Sequence, residues 1–411
     1  MTAARHERFG GDVVLLLALA TAANGLGQGL SRFTYALLLP DMRDDVIGSY
    51  GLAGLMGTLN LAAYLVGVLV VSALSGRVSV VRIVCAGLGI CATANAVLAV
   101  APNVAVLALG MVLLGAGAAG TWVPLAAVVS GSVDPRRRGA ALGALTTGFG
   151  ASILLTAQLR SLVYSYAGGA AWREVWAVEA VLVAAVCVAC ALWLRPTAAA
   201  TAARVASPGK LLRSVPGWGR LTVAYVGVAV GYIIYASFLS ALLQKEAHFG
   251  ADHASAVFSV IGVTSILGSI ATGRIADRAG WPDTYAVACA VMSICVLLVL
   301  LRREPWVALS AALYGLPLTT TGGLVVGYLG DHLHGSAVAA AFGAITLPFG
   351  VAQAVAPWMG GWVRDWTGSF TATFLLAGVA LGIASLSAAL LPRRRQTVLE
   401  ALAPSASRIA E

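Results

Sequence analysis

Apolar runs of about twenty residues, separated by short polar or turn-forming stretches, recur along the whole chain. Twelve of them lie at about 13–39, 50–73, 80–101, 104–131, 140–164, 172–194, 219–243, 254–273, 283–301, 305–330, 336–362 and 370–391. About 20 apolar residues in a helix span the ~30 Å hydrocarbon layer of a bilayer. The pattern therefore predicts an all-α membrane protein with twelve transmembrane helices. No stretch outside the runs is long enough for a second, soluble domain.

One charge breaks the pattern. Arg32 lies inside the first run, between Val13 and Pro40, while every other Lys or Arg can be placed near the end of a run. A charge in hydrocarbon costs ~3 to ~10 kcal/mol or more, so such residues face a bundle interior or a wet cavity. Asn24, Gln28, Ser31 and Tyr35 share its helical face at steps of three and four. The competing placement has Arg32 snorkelling to the interface near Pro40 or holding neighbouring carbonyls. The second run carries Gly57, Asn60, Tyr64 and Gly67 on one face. The eleventh carries Thr346, Gly350, Gln353, Pro357 and Gly360. Small residues let helices approach closely in a membrane, so the glycines read as packing seams. Asn60 and Gln353 fit an interhelical hydrogen bond as well as a ligand contact.

The longest internal polar stretch, Arg195 to Arg220, divides the runs six and six. The expected organisation is two bundles, 1–194 and 219–392, joined by a cytoplasmic linker at 195–218 and followed by a tail at 393–411. Weak repetition supports it: Cys85 and Cys91 recur as Cys289 and Cys295, Gln28 meets Tyr232 and Gly76 meets Gly280, all at an offset of 204 residues. Duplicated halves are common among transporters.

Composition agrees. Hydrophobic residues make up 59% of the 411 and charged residues 10%, against ~25% charged in soluble domains. The net charge of +9 orients the chain without implying nucleic acid. With the N-terminus inside and sides alternating, 18 Lys and Arg fall on the cytoplasmic side and seven, Arg160 among them, on the other. Positive charge accumulates inside, so both termini are expected in the cytoplasm. The first run is too long for a cleavable signal and no small-residue cleavage site follows it. All six cysteines lie in apolar runs, Cys187 and Cys190 without His or acidic neighbours, so they read as buried filler and no metal site or cofactor is expected.

The turn between runs eight and nine reads Gly273-Arg-Ile-Ala-Asp277-Arg278-Ala-Gly280. It resembles the G-x-x-x-D-R-x-G loop of the major facilitator superfamily, and the likeness covers essentially the whole chain. The resemblance implies two pseudo-symmetric six-helix bundles, with Asp277 and Arg278 as a gating latch and Gly273 and Gly280 permitting the turn. The first-half copy keeps Gly76-Arg77, but Ala73 stands where the Asp would be. Ser31 to Pro40, Asn60 to Gly67, Gly231 to Leu239 and Phe349 to Pro357 look like the YbfB-type branch. Drug exporters of the superfamily often carry a Gly- and Pro-rich fifth span and an arginine in the fourth. Here the fifth span lacks proline and the fourth lacks the arginine.

In that fold, spans 1, 4, 7 and 10 and their partners 2, 5, 8 and 11 line a central cavity. The resemblance places Arg32, Asn24, Gln28, Tyr35, Asn60, Tyr64, Thr121, Trp122, Tyr232, Tyr235, Tyr314 and Gln353 there as candidate substrate contacts. Arg32 is the expected anchor for an anionic solute, because a guanidinium fork fits a carboxylate at two points. Glu179, the only carboxylate well inside a run, lies in span 6, a scaffold helix of that fold; it is the candidate proton carrier, against the competing reading that it pairs with a neighbour at the interface. The expected function is secondary transport of a small organic solute by alternating access, in a monomer, with protons as the candidate coupling ion. Export of amphipathic drugs or lipids, and a receptor that binds a solute without moving it, remain alternatives. An enzyme is not expected: no nucleophile–base pair, metal cluster or phosphate loop is recognisable.

Overall fold

The structure, a computed structural model, describes residues 2–74, 77–133, 138–167, 171–194 and 208–393. Ser75 and Gly76 of the first-half loop, linker residues 195–207 and the tail beyond Arg393 lie outside the described residues. Among the described residues, twelve helices are long and apolar enough to cross a membrane. They are α1 Val13–Ile47, α2 Tyr50–Leu74, α3 Val80–Ala99, α4 Val104–Ser132, α5 Arg138–Ala167, α6 Trp172–Trp193, α7 Trp218–Lys245, α8 Ala251–Ala279, α9 Trp281–Leu301, α10 Trp306–His332, α11 Ser336–Thr367 and α12 Phe370–Ala389. The chain is a multi-pass membrane protein.

Local chemistry sets several ends. Asn103 caps α4, its side-chain oxygen accepting from the Val106 N–H at 3.1 Å. Gly280, at φ +91°, closes α8 in a conformation that a residue with a Cβ resists, and Pro282 then opens α9. The largest departure from the sequence pattern is in α1. Its apolar run stops before Pro40, yet the helix continues through Pro40 to Ile47, and Gly25–Leu30 form a wide, π-type turn just before Arg32. Proline inside a membrane helix is tolerated because neighbouring helices and local rewinding re-satisfy the freed carbonyl.

The helices pack as two similar sets of six. In the first, α1 meets α5 and α6, α2 meets α4, and α3 meets α4 and α6; in the second, α7 meets α11 and α12, α8 meets α10, and α9 meets α10 and α12. Each contact recurs six helices later. The seam between the sets repeats the symmetry, with α2 against α11, α5 against α8, and α1 against α7. Glycines make the matching crossings. A Cβ on Gly115 would run into the Asn60 carbonyl of α2, and one on Gly315 would sit 2.6 Å from the Ile261 carbonyl of α8.

These crossings carry a prediction. Gly315→Ala is expected to lower the stability of the detergent-purified protein by about 1–3 kcal/mol, as overpacking does. Gly143→Ala, with nothing within 4 Å of the added carbon, should leave it unchanged or slightly higher. A thermal melt of the two variants would reverse the assignment of Gly315 if both moved alike.

Seam contacts gather towards one end of the bundle, the distal end, where α1 meets α2 and α7 meets α8. There Asp365 of α11 accepts from the Gly51 N–H of α2 at 2.6 Å, Lys245 of α7 pairs with Asp44 of α1 at 2.5 Å, and Gln158 of α5 donates to Ser259 of α8 at 2.8 Å. Tyr50 lies between two guanidinium groups, Arg43 at 4.7 Å and Arg364 of the other set at 4.4 Å from its ring centre. The outward surface is apolar, as a bilayer requires. On α11, Trp358, Trp362 and Trp366 are exposed at four-residue steps, the last two stacked with centroids 5.8 Å apart.

Candidate functional site

Midway along the seam, α1, α2, α7 and α11 bring five of the candidate residues together. The Arg32 guanidinium lies 4.9 Å from the centre of the Tyr64 ring and close to the Tyr232 hydroxyl. Gln28, one helical turn before Arg32, donates to the Tyr64 hydroxyl at 3.0 Å. On the other set, Gln353 donates to the Tyr232 hydroxyl. Arg32 is half-buried, and among the described residues it forms no ion pair with an acidic side chain. Its positive charge is met by aromatic faces and neutral hydroxyls, the arrangement of a cation–π contact.

An aromatic wall adjoins this cluster on the side of α7 and α11. Phe349 stacks on Tyr225 at 4.1 Å and lies parallel to Tyr232 at 6.4 Å, and Phe342 completes the row at 6.2 Å from Tyr225. The sequence reading missed Tyr225, Phe342 and Phe349. Their signal was present: Tyr225 and Tyr232 are seven residues apart on α7, and Phe342 and Phe349 seven apart on α11, which puts each pair on one helix face.

Other candidates sit elsewhere. Asn24 donates to the Leu145 carbonyl of α5 at 3.1 Å, Tyr35 to the Ala53 carbonyl of α2 at 2.6 Å, and Asn60 to the Met111 carbonyl of α4 at 3.1 Å. The wide turn at Gly25–Leu30 changes the angular step, so Asn24 leaves the face that a regular helix would share with Arg32. Thr121 donates to its own helix at Ala118 and packs its methyl group where Gly27 of α1 leaves room. Trp122 is half-buried. Tyr235 and Tyr314 stack at 4.0 Å, and the Tyr235 hydroxyl lies 3.0 Å from Ser310. The apolar void beside these two tyrosines measures about 10 Å³, enough for one water at most. Of the latch residues, Gly273, Asp277 and Arg278 are exposed on the last turns of α8, just before Gly280. Neither Asp277 nor Arg278 forms an ion pair among the described residues.

Glu179 is fully buried between α6, α1 and α5. Thr34 donates to its Oε1, and the Thr156 hydroxyl lies 2.9 Å from that of Thr34. Oε2 has no hydrogen-bond partner among the described residues. Thr34 is two residues from Arg32 on α1, so the two side chains leave the helix on opposite sides. Among the described residues no group of three or more His, Cys, Asp or Glu is arranged to hold a metal ion.

Comparison with known proteins shows the family. Residues 24–389 match the family described as "Uncharacterised MFS-type transporter YbfB". The chain is 24% identical over 358 residues to the "Putative transporter AraJ" of Escherichia coli (strain K12), covering 83% of this chain and 89% of that protein. It is 23% identical over 264 residues to the "Uncharacterized MFS-type transporter YceJ" of Bacillus subtilis (strain 168), covering 64% and 67%.

Proposed function

The chain belongs to the YbfB-type family of major facilitator transporters, and from that premise we propose that it moves a small organic anion across the cytoplasmic membrane by alternating access. Residues 1–194 and 219–392 are the two rocking bodies, 195–218 links them, and both termini face the cytoplasm. Arg32 carries this reading. A cation held mid-membrane against tyrosines, without an acidic partner, has an incomplete charge balance. A carboxylate from solution completes it, with two-point contact to the guanidinium. Gln28 and Gln353 orient the two tyrosines whose hydroxyls flank the charge.

Glu179 is the proposed proton carrier. Its hydrogen bond from Thr34 ties it to α1, the helix that bears Arg32, so loading of one group is felt through that helix at the other. The aromatic wall of Tyr225, Phe342 and Phe349 favours a second reading, export of amphipathic compounds, in which flat apolar faces do the binding.

Thermal melting of the purified protein against small carboxylates, phosphates, neutral metabolites and cationic lipophiles separates the two. Binding at ~100 times Kd adds about 2.7 kcal/mol to native-state stability. A carboxylate is expected to raise the melting temperature. A response confined to cationic lipophiles would overturn the anion reading in favour of the exporter.

A further inference from the structure

A second arginine, Arg160, is held inside the bundle. Its place near the end of the fifth apolar run suggests an interfacial side chain, yet it is 1% exposed. It projects from α5 into the distal end of the seam, between α1 and α8. Nη1 lies 3.3 Å from the Ser255 hydroxyl and 3.9 Å from an Asp252 oxygen, and Nη2 lies 3.6 Å from Asp41. The guanidinium sits over the Tyr164 ring at 4.0 Å, and the Tyr164 hydroxyl donates to Asp41 at 2.5 Å.

That coordination is incomplete. A guanidinium offers five N–H donors, and charge-assisted bonds to carboxylates run at about 2.7–2.9 Å. Neither aspartate approaches so closely, and Nε and Nη2 have no hydrogen-bond partner among the described residues. Asp41 is occupied by Tyr164. The Asp252 side chain is 88% exposed, which makes it a loose, screened partner. Beside these unmet donors is a cavity of about 300 Å³, lined by Arg160, Ser161, Tyr164, Ser165, Ala251 and Asp252. Ala251 and Asp252 form the first turn of α8, whose cap residue Gly250 supplies no side-chain acceptor. Free N–H groups and the positive end of the helix dipole therefore face the same space.

We infer that this cavity is a second anion site, at which a small carboxylate takes the place of Asp252 on Arg160 and accepts from the Ser161 hydroxyl and the first turn of α8. The volume is at the lower end for small-molecule pockets, which suits an acid of a few carbons. The inference rests on the proposed function only for the kind of anion that arrives. Asp252 and Ser255 belong to one set of helices and Arg160 to the other, so a carboxylate bound here removes a tie across the seam.

The test uses Arg32→Gln protein, in which the central site is silent, titrated with acetate, succinate, inorganic phosphate and chloride while melting is followed. Succinate is expected to stabilise it saturably. Adding Asp252→Asn, an exposed change that leaves folding intact, should tighten succinate about tenfold, and adding Arg160→Gln should abolish the effect. The site is refuted if Arg32→Gln protein shows no saturable carboxylate effect with or without Asp252→Asn, or if Asp252→Asn leaves the affinity unchanged. Stabilisation by chloride or phosphate alone refutes the carboxylate assignment. Carboxylate binding insensitive to Arg32 but sensitive to Asp252 supports the distal site while removing the central one.

Discussion

Arg32→Ala is expected to reduce binding of the carboxylate substrate by at least about thirtyfold. Truncating one partner of a buried, hydrogen-bonded charge pair costs about 2–5 kcal/mol, and each 1.4 kcal/mol is a factor of ~10. The loss should not come from unfolding, because the guanidinium's neighbours are the Tyr64 ring and the Tyr232 hydroxyl. Both keep their bonds to Gln28 and Gln353 when the guanidinium is gone. Arg32→Lys should recover part of the affinity, since an ammonium restores the charge without the planar fork. Isothermal titration with the best carboxylate, alongside uptake into vesicles, checks both variants. Unchanged affinity in Arg32→Ala would leave this arginine a structural role only.

The second large effect is on coupling. Glu179→Gln is expected to abolish uphill accumulation driven by an imposed pH gradient while leaving exchange of substrate across the membrane intact. Glutamine has the shape of the acid and a carbonyl oxygen for the Thr34 hydroxyl, but cannot exchange a proton. Burial among Thr34 and Thr156, with no ion pair among the described residues, makes the neutral amide easy to accommodate, so the variant should fold normally. Accumulation in Glu179→Gln vesicles that follows the pH gradient as in the parent would remove Glu179 from the coupling scheme.

Much of the architecture was legible in the apolar runs, since hydrocarbon thickness imposes a length that few other structures demand. Even the offset relating Cys85 to Cys289 anticipated the matching contacts of the two sets. The site was legible only in part. Arg32, Gln28, Tyr64, Tyr232 and Gln353 do converge, but spacing on an ideal helix could not foresee the wide turn at Gly25–Leu30 that sends Asn24 to α5. Asn60 looks like a ligand contact in one dimension and is a strut to Met111 in three. Arg160 was hidden for the opposite reason. A position near the end of a run says nothing about which neighbour covers it, and α8 comes from the far half of the chain.

The tryptophans on α11 give the protein a gauge of its own. Trp358, Trp362 and Trp366 stand at successive depths on the outward face of a helix that packs against the other set through α2. Indole rings settle at the headgroup level, so any tilt of α11 trades one ring's immersion for another's. Lipids brominated at different chain positions quench indoles in order of proximity. With the other seven tryptophans replaced by phenylalanine, the lipids' quenching profile would report tilting of α11 without an attached label, and substrate added to one side of the vesicle would show whether loading sets that tilt.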